Sequence, residues 1–247
     1  MARNIAASEV QKEPASIPAG RRIYAVGDIH GRADLLAETL ARIDRDRNER
    51  PIAAATEIFL GDYIDRGPQS RQVIDLLMAR RRVRDVVLLK GNHEAFALQF
   101  LKEPSLLPEW KDVGGANTLL SYGVTPARSA DSRLAYETAK ALHRAMPTTH
   151  RKFLQGLALS FTCGDFFFVH AGVRPGIPLQ TQAQQDLLWI REDFLLCEET
   201  YSKIIVHGHT PVYEPDIQPN RINIDTGAYA TGKLTCLVLE DFEMSFL

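Results

Sequence analysis

Five short stretches of this sequence end in residues that bind cations and move protons. They are YAVGDIHG (24–31), IFLGDYIDRG (58–67), LLKGNHE (88–94), FFVHAG (167–172) and IIVHGH (204–209). Each pairs an apolar run and a turn with Asp, Asn or His. The resulting donor set is Asp28, His30, Asp62, Asn92, His170 and His209. Carboxylate and amide oxygens mixed with imidazole nitrogens suit borderline divalent ions, manganese foremost, with iron or zinc as the other fits. A carboxylate such as Asp62 can bridge two ions. Two ions about 3.5–4 Å apart clamp the attacking and leaving oxygens of an in-line displacement at phosphorus. Cys163, Cys197 and Cys236 are scattered, with no C-x-x-C spacing, so neither a thiolate-held structural zinc nor a disulfide framework is expected.

The elements around these stretches must bring them together. Arg22 to Val26 reads as a buried strand, and Ala33 to Asp46 as a helix through Leu35, Leu36, Leu40 and Ile43. The unit repeats. Glu57 to Leu60 is a strand, Gly61 to Gly67 a loop and Ser70 to Arg82 a helix, followed by a strand from Val86 to Leu89. Such βαβαβ order implies a largely parallel sheet. Residues 95–156 are dominated by helical patterns, clearest from Asp131 to Met146 before Pro147. Strands return at Phe166 to Val169, Lys203 to Val206, Arg221 to Ile224 and Leu234 to Leu239. In α/β sheets the carboxyl ends of parallel strands form the ligand crevice, and the donors fall there.

The 247 residues fit one large domain, with 45% hydrophobic and 24% charged residues. The expected organisation is a flexible leader over 1–20 and one catalytic domain over 21–247, with a helical insert at about 95–156. A net charge of -2 exerts no global pull toward nucleic acid or anionic membrane, and neither is an expected partner. There is no signal-peptide h-region and no apolar run of spanning length, so a cytoplasmic protein is expected. Oligomeric state is not legible.

Taken in this order, GD-x-HG (27–31), GD-x-x-DRG (61–67), GNHE (91–94), HAG (170–172) and the late G-H (208–209) resemble the calcineurin-like metallophosphoesterases. More narrowly, they resemble the phosphoprotein phosphatases of small bacterial and phage type, from about Arg21 to the C-terminus. The resemblance implies an α/β fold: a two-sheet β-sandwich flanked by helices, with the insert beside the active-site mouth. It implies one metal on Asp28, His30 and Asp62, and a second on Asp62, Asn92, His170 and His209. A hydroxide between them would attack phosphorus. His93 would protonate the leaving oxygen, held by Asp65, while Arg66 and Arg191, with Asn92, would bind the phosphate.

Taken singly, Asp28, Asp62 and Asn92 also read as turn residues, and His170 as a core histidine. The set in order outweighs that reading. His207 stays open: strand alternation points it the same way as His209. His143 and His150 are expected at the surface. The run Arg80, Arg81, Arg82 and Arg84 reads as a solvated helix end, Arg174 as a surface residue, and Asp225-Thr226-Gly227 as packing and turn.

The resemblance points first to a phosphomonoester hydrolase acting on phosphoserine or phosphothreonine in proteins, or on small phosphate esters. The alternative is a dinucleoside polyphosphate hydrolase like the bacterial diadenosine tetraphosphatases. The asymmetrical members of that group retain an Asp-Arg pair like Asp65-Arg66. A catalytically silent metal-binding scaffold is the remote third reading.

Overall fold

The computed structural model describes residues 14–127 and 131–247. The chain runs β1 (Arg21–Val26), α1 (Ala33–Glu49), β2 (Ala54–Phe59), α2 (Ser70–Arg80), β3 (Asp85–Leu88) and α3 (Asn92–Phe100). Next come α4 (Leu107–Asp112), α5 (Gly115–Ser121), α6 (Ser132–Ala145) and α7 (Thr148–Gln155). The second half holds β4 (Ser160–Cys163), β5 (Phe166–Val169), α8 (Gln184–Trp189), α9 (Glu192–Leu195), β6 (Ile204–His207) and β7 (Asp216–Ile217). It closes with β8 (Arg221–Asn223), α10 (Ala228–Thr231), β9 (Cys236–Glu240) and β10 (Glu243–Phe246).

Two mixed sheets result, in the orders β10-β9-β1-β2-β3 and β4-β5-β6-β8-β7. β1, β2 and β3 are parallel, as are β5, β6 and β8. Side-chain alternation decides which residues meet where. Ile23, Ala25, Ile58 and Leu60 face Phe166, Phe168, Val206 and Ile222 in a core between the sheets. Their neighbours Tyr24, Val26 and Phe59 face outward against Leu36, Leu40, Val73 and Leu77 of α1 and α2. On the second sheet, Phe167, Val169 and Ile205 take the outer side under Leu187, Ile190 and Phe194. This is the α/β sandwich with flanking helices that the sequence led one to expect. β4, β7 and β10 were not anticipated. They are edge strands, and β10 is exposed throughout, so they lack an apolar signature.

Of the expected leader, residues 1–13 lie outside the described residues. Ile17 is buried, and its N–H donates to the carbonyl of Asp241, so that stretch is anchored on the domain. Two surface readings are corrected. Arg80 is buried, donating to both carboxylate oxygens of the fully buried Glu57 at 2.7 Å and to Asp44. A charge inside β2 requires that partner, and sequence spacing does not show a contact between β2 and α2. His150 is also buried, bridging the Tyr122 hydroxyl at 2.8 Å and Asp75 at 3.0 Å. It ties the insert to α2. His143 is exposed, as expected. Among the described residues, no helix is long and apolar enough to cross a membrane.

Candidate metal centre

The turns after β1, β2, β3, β5 and β6 deliver their polar residues to one side of the sheets, at the carboxyl ends of parallel strands. These turns are tight. Among the described residues, six non-glycine positions have positive φ, and five of them are His30, Asp62, Asp65, Arg66 and His209. Such backbone costs about 1–3 kcal/mol per residue and persists where the surroundings enforce it. Two glycines are fixed by approach to ligand side chains. A Cβ on Gly91 would strike Asp62 Oδ1, and one on Gly208 would strike Asp28 Oδ1.

Asp62 sits in the middle. Its Oδ2 is 3.4 Å from His30 Nε2, and its Oδ1 is 3.4 Å from His170 Nε2. The two oxygens thus face two different sets of donors. Asn92 Oδ1 lies 2.8 Å from His170 Nε2 and 2.9 Å from His209 Nδ1. Asp28 accepts the His209 backbone N–H at 3.1 Å through Oδ2. Ligand atoms of His30, Asp62 and His93 lie within 4.8 Å of one another, as do those of Asp62, His170 and His209.

The imidazoles are oriented from behind. His30 Nδ1–H donates to Ile64 O and His170 Nδ1–H to Leu60 O, each at 3.0 Å. That fixes the tautomer and leaves each Nε2 lone pair facing the centre. Burial pushes His30 down to about 3 and His209 down to about 2, and lowers His170 as well. All three are therefore neutral at pH 7, the form that binds metal. Asp28 is pushed well up by burial, Asp225 and Asp62. Asp62 is itself pushed up by burial, but the histidines around it outweigh this and hold it low. Asp28 Oδ1 and His209 Nε2 are buried with no hydrogen-bond partner. Orphaned donor atoms beside a convergent Asp/His/Asn set fit a pair of divalent cations.

His93 differs from the other imidazoles. Burial pulls it down, but Asp62 and its hydrogen bond to Asp65 more than offset this and raise it above its ordinary value. Its Nδ1–H donates to Asp65 Oδ2 at 2.8 Å, and its Nε2 lies 3.7 Å from Asp62 and 3.4 Å from Arg66 Nη2. A protonated imidazole carries a proton on both nitrogens and cannot ligate. His93 thus holds a proton more firmly than the other three imidazoles.

Several supports escaped the sequence reading. Trp110, from α4, donates its indole N–H to Asp65 Oδ2 at 2.9 Å, and Thr118, from α5, donates its hydroxyl to Asp65 Oδ1. The Arg66 N–H donates to Gly114 O, and Asn117 donates to the Arg66 carbonyl. The insert therefore holds the Asp65-Arg66 pair directly. Glu94 accepts the backbone N–H groups of Asp62, Tyr63, Ile64 and Gly91, binding the second motif to the third. Glu three residues after the helix-capping Gly91 was the available signal. Asp225 does perform turn work, accepting the Gly227 N–H at 2.9 Å. It also lies beside Asp28 across Gly208, and burial pushes it up to about 6.

Arg66 lies with its guanidinium 4.8 Å from the Tyr229 ring centre. Arg191 is exposed, and its charge helps to lower both His170 and His209. Arg174 pairs with Asp186 and Asp193 at the surface, as expected. His207 belongs to neither donor group. β6 ends at His207 and His209 has a φ of 66°, so strand alternation does not carry through. His207 instead packs against Phe194, ring centres 4.9 Å apart.

Comparison with known proteins gives the same picture at the level of family. The model of the calcineurin-like phosphoesterases matches residues 21–240. The asymmetrical bis(5'-nucleosyl)-tetraphosphatase PrpE of Anoxybacillus flavithermus is 28% identical over 240 residues, covering 88% of this chain and 90% of its own. A protein assigned as a serine/threonine-protein phosphatase in Schizosaccharomyces pombe is 41% identical over 75 residues, covering 30% of this chain and 22% of its own. A solved structure assigned as a diadenosine tetraphosphatase superposes with a TM-score of 0.65 at 20% identity, covering 94% of this chain and 97% of the other. This chain belongs to the calcineurin-like phosphoesterase family and carries the donor groups of a metal-dependent hydrolase.

Proposed function

We propose that this calcineurin-like phosphoesterase hydrolyses dinucleoside polyphosphates, with asymmetrical cleavage of diadenosine tetraphosphate as its reaction. The observation that carries this is coverage. The tetraphosphatase relative aligns over 88% of this chain and 90% of its own length. Likeness to the S. pombe protein is confined to 30% of the chain. The Asp65-Arg66 pair suits both substrates. A phosphoprotein phosphatase remains the second reading, favoured by the intact Asp65–His93 contact at 2.8 Å.

The residues that would hold the cations are Asp28, His30 and Asp62 on one side, and Asp62, Asn92, His170 and His209 on the other. When bound, such cations supply Lewis acidity at the phosphoryl oxygens and lower the pKa of water toward neutrality. Arg66 holds a phosphoryl oxygen with its planar fork, and Arg191 binds a phosphate from the exposed side. His93 protonates the leaving oxygen through Nε2, with Asp65 keeping the ring oriented. The test is turnover by manganese-loaded protein on three substrates: diadenosine tetraphosphate, a phosphoserine peptide and p-nitrophenyl phosphate. A kcat/KM on the dinucleotide at least tenfold above that on the peptide is expected. The reverse order would overturn the reading.

A further inference from the structure

Two small clefts flank the centre, and each joins an aromatic ring to one of the phosphate-binding arginines. The first, of about 270 Å³, is lined by Pro211, Val212, Tyr213 and Tyr229. The Tyr229 ring centre is 5.5 Å from that of His30, and Arg66 lies over the Tyr229 ring. The second, of about 250 Å³, is lined by Trp189, Ile190 and Arg191 among others. The Trp189 ring centre is 6.5 Å from that of His209. His30 and His209 belong to the two different donor groups that share Asp62. One cleft therefore adjoins each side of the centre.

The rings in these clefts are open to solvent. Tyr213 is 91% exposed, Tyr229 41% and Trp189 39%. A single exposed aromatic is unremarkable. Here the rings stand at both ends of a site built for phosphate, beside the two arginines assigned to it. Of the three acidic side chains lining the Trp189 cleft, Asp186 and Asp193 are paired with Arg174, which leaves Glu192 beside Arg191.

We propose that the Tyr213–Tyr229 cleft and the Trp189 cleft each receive one nucleobase of a dinucleoside polyphosphate whose phosphate chain crosses the metal centre. The inference rests on the dinucleotide reading above and specifies how that substrate is recognised. Every base offers a flat π-face, so stacking on an indole or phenol is tolerant of base identity. A phosphopeptide has no obligatory flat group at each end of its phosphate, and does not explain two clefts.

The experiment uses manganese-loaded full-length protein and the variants Trp189→Ala and Tyr213→Ala. Exposed Tyr136→Ala, on α6 and outside both clefts, serves as control. KM for diadenosine tetraphosphate is measured against KM for p-nitrophenyl phosphate on each preparation. Loss of one stacking partner is expected to raise the ratio of the two about 5- to 150-fold in each cleft variant, with no change for Tyr136→Ala. If wild type cleaves the dinucleotide and neither cleft variant moves the ratio, the base-binding clefts are refuted and the activity stands. If wild type turns over the phosphopeptide but not the dinucleotide, the functional reading and this inference both fall.

Discussion

Trp110→Phe isolates a single hydrogen bond behind His93, the proposed proton donor. The indole is fully buried, and its N–H reaches the Asp65 oxygen that also accepts His93 Nδ1–H. Phenylalanine keeps the aromatic packing against Phe100, whose ring centre is 4.8 Å away, and removes only the donor and part of the ring. A hydrogen bond to a charged group is worth about 1.5–3 kcal/mol. The Thr118 hydroxyl still holds the other Asp65 oxygen, so the lower end applies. If that energy maintains the line from Asp65 through His93 to the leaving oxygen, its loss slows proton delivery about tenfold. Two effects run in the same direction: the carboxylate is less well anchored, and it accepts more strongly from His93, making the imidazole a weaker acid. The deficit must therefore depend on the leaving group. With phenyl phosphate, a poor leaving group, kcat should fall about tenfold. With p-nitrophenyl phosphate, which leaves with little help, it should fall less than about threefold. Manganese content should match wild type. Equal losses on both esters would show that Trp110 only fills space, and loss of metal would show that it supports the ligands instead.

Three other predictions bear on the same framework. Asp62→Asn should abolish activity and weaken both metal sites, whereas His93→Asn should cut turnover with metal content intact; elemental analysis of both variants checks this, and equal metal loss would contradict the division. Arg80→Met strands the fully buried Glu57 carboxylate, with only Arg47 left 3.6 Å away, and should cost about 3 kcal/mol in urea unfolding of chelator-treated protein. Adding Glu57→Leu should restore most of that, and a single-variant loss under about 1 kcal/mol would refute the account. Burial depresses His207 from 6.5 to about 3, so it contributes stability that is present above pH 6.5 and lost as pH falls toward 3. Between those values His207→Gln should flatten the unfolding free energy of chelator-treated protein by up to about 1.4 kcal/mol per pH unit relative to wild type; parallel curves would exclude it.

The residues legible in the sequence are those whose position follows from local geometry. Asp28, Asp62 and His170 each come directly after an apolar strand, and strand order places such residues on one edge. Trp110 and Thr118 were not legible as supports of Asp65. They lie 45 and 53 positions away from it, and helical spacing within the insert does not say which residue meets the second motif. Arg80 and His150 failed for the same reason: composition put them at the surface, and non-local partners bury them. His207 was left open for a different reason. Period-two alternation was applied past the end of a strand, where the left-handed backbone of His209 breaks it.

Charge balance is what joins the ligand set to the rest of the fold. Asp28, Asp62, Glu94 and Asp225 are all buried at the strand ends. Glu94 accepts four backbone N–H groups, and burial and Asp62 push it up to about 8. Burial, Asp225 and Asp62 raise Asp28, and burial and Asp62 raise Asp225. Burial lowers His30, His170 and His209, and of the four imidazoles only His93 is raised. Arg66 and the raised His93 lie in contact at 3.4 Å beside these carboxylates. Buried carboxylates of this density are stable only with cationic partners. A fold that holds five residues of these turns in left-handed backbone to gather such groups is organised around cations.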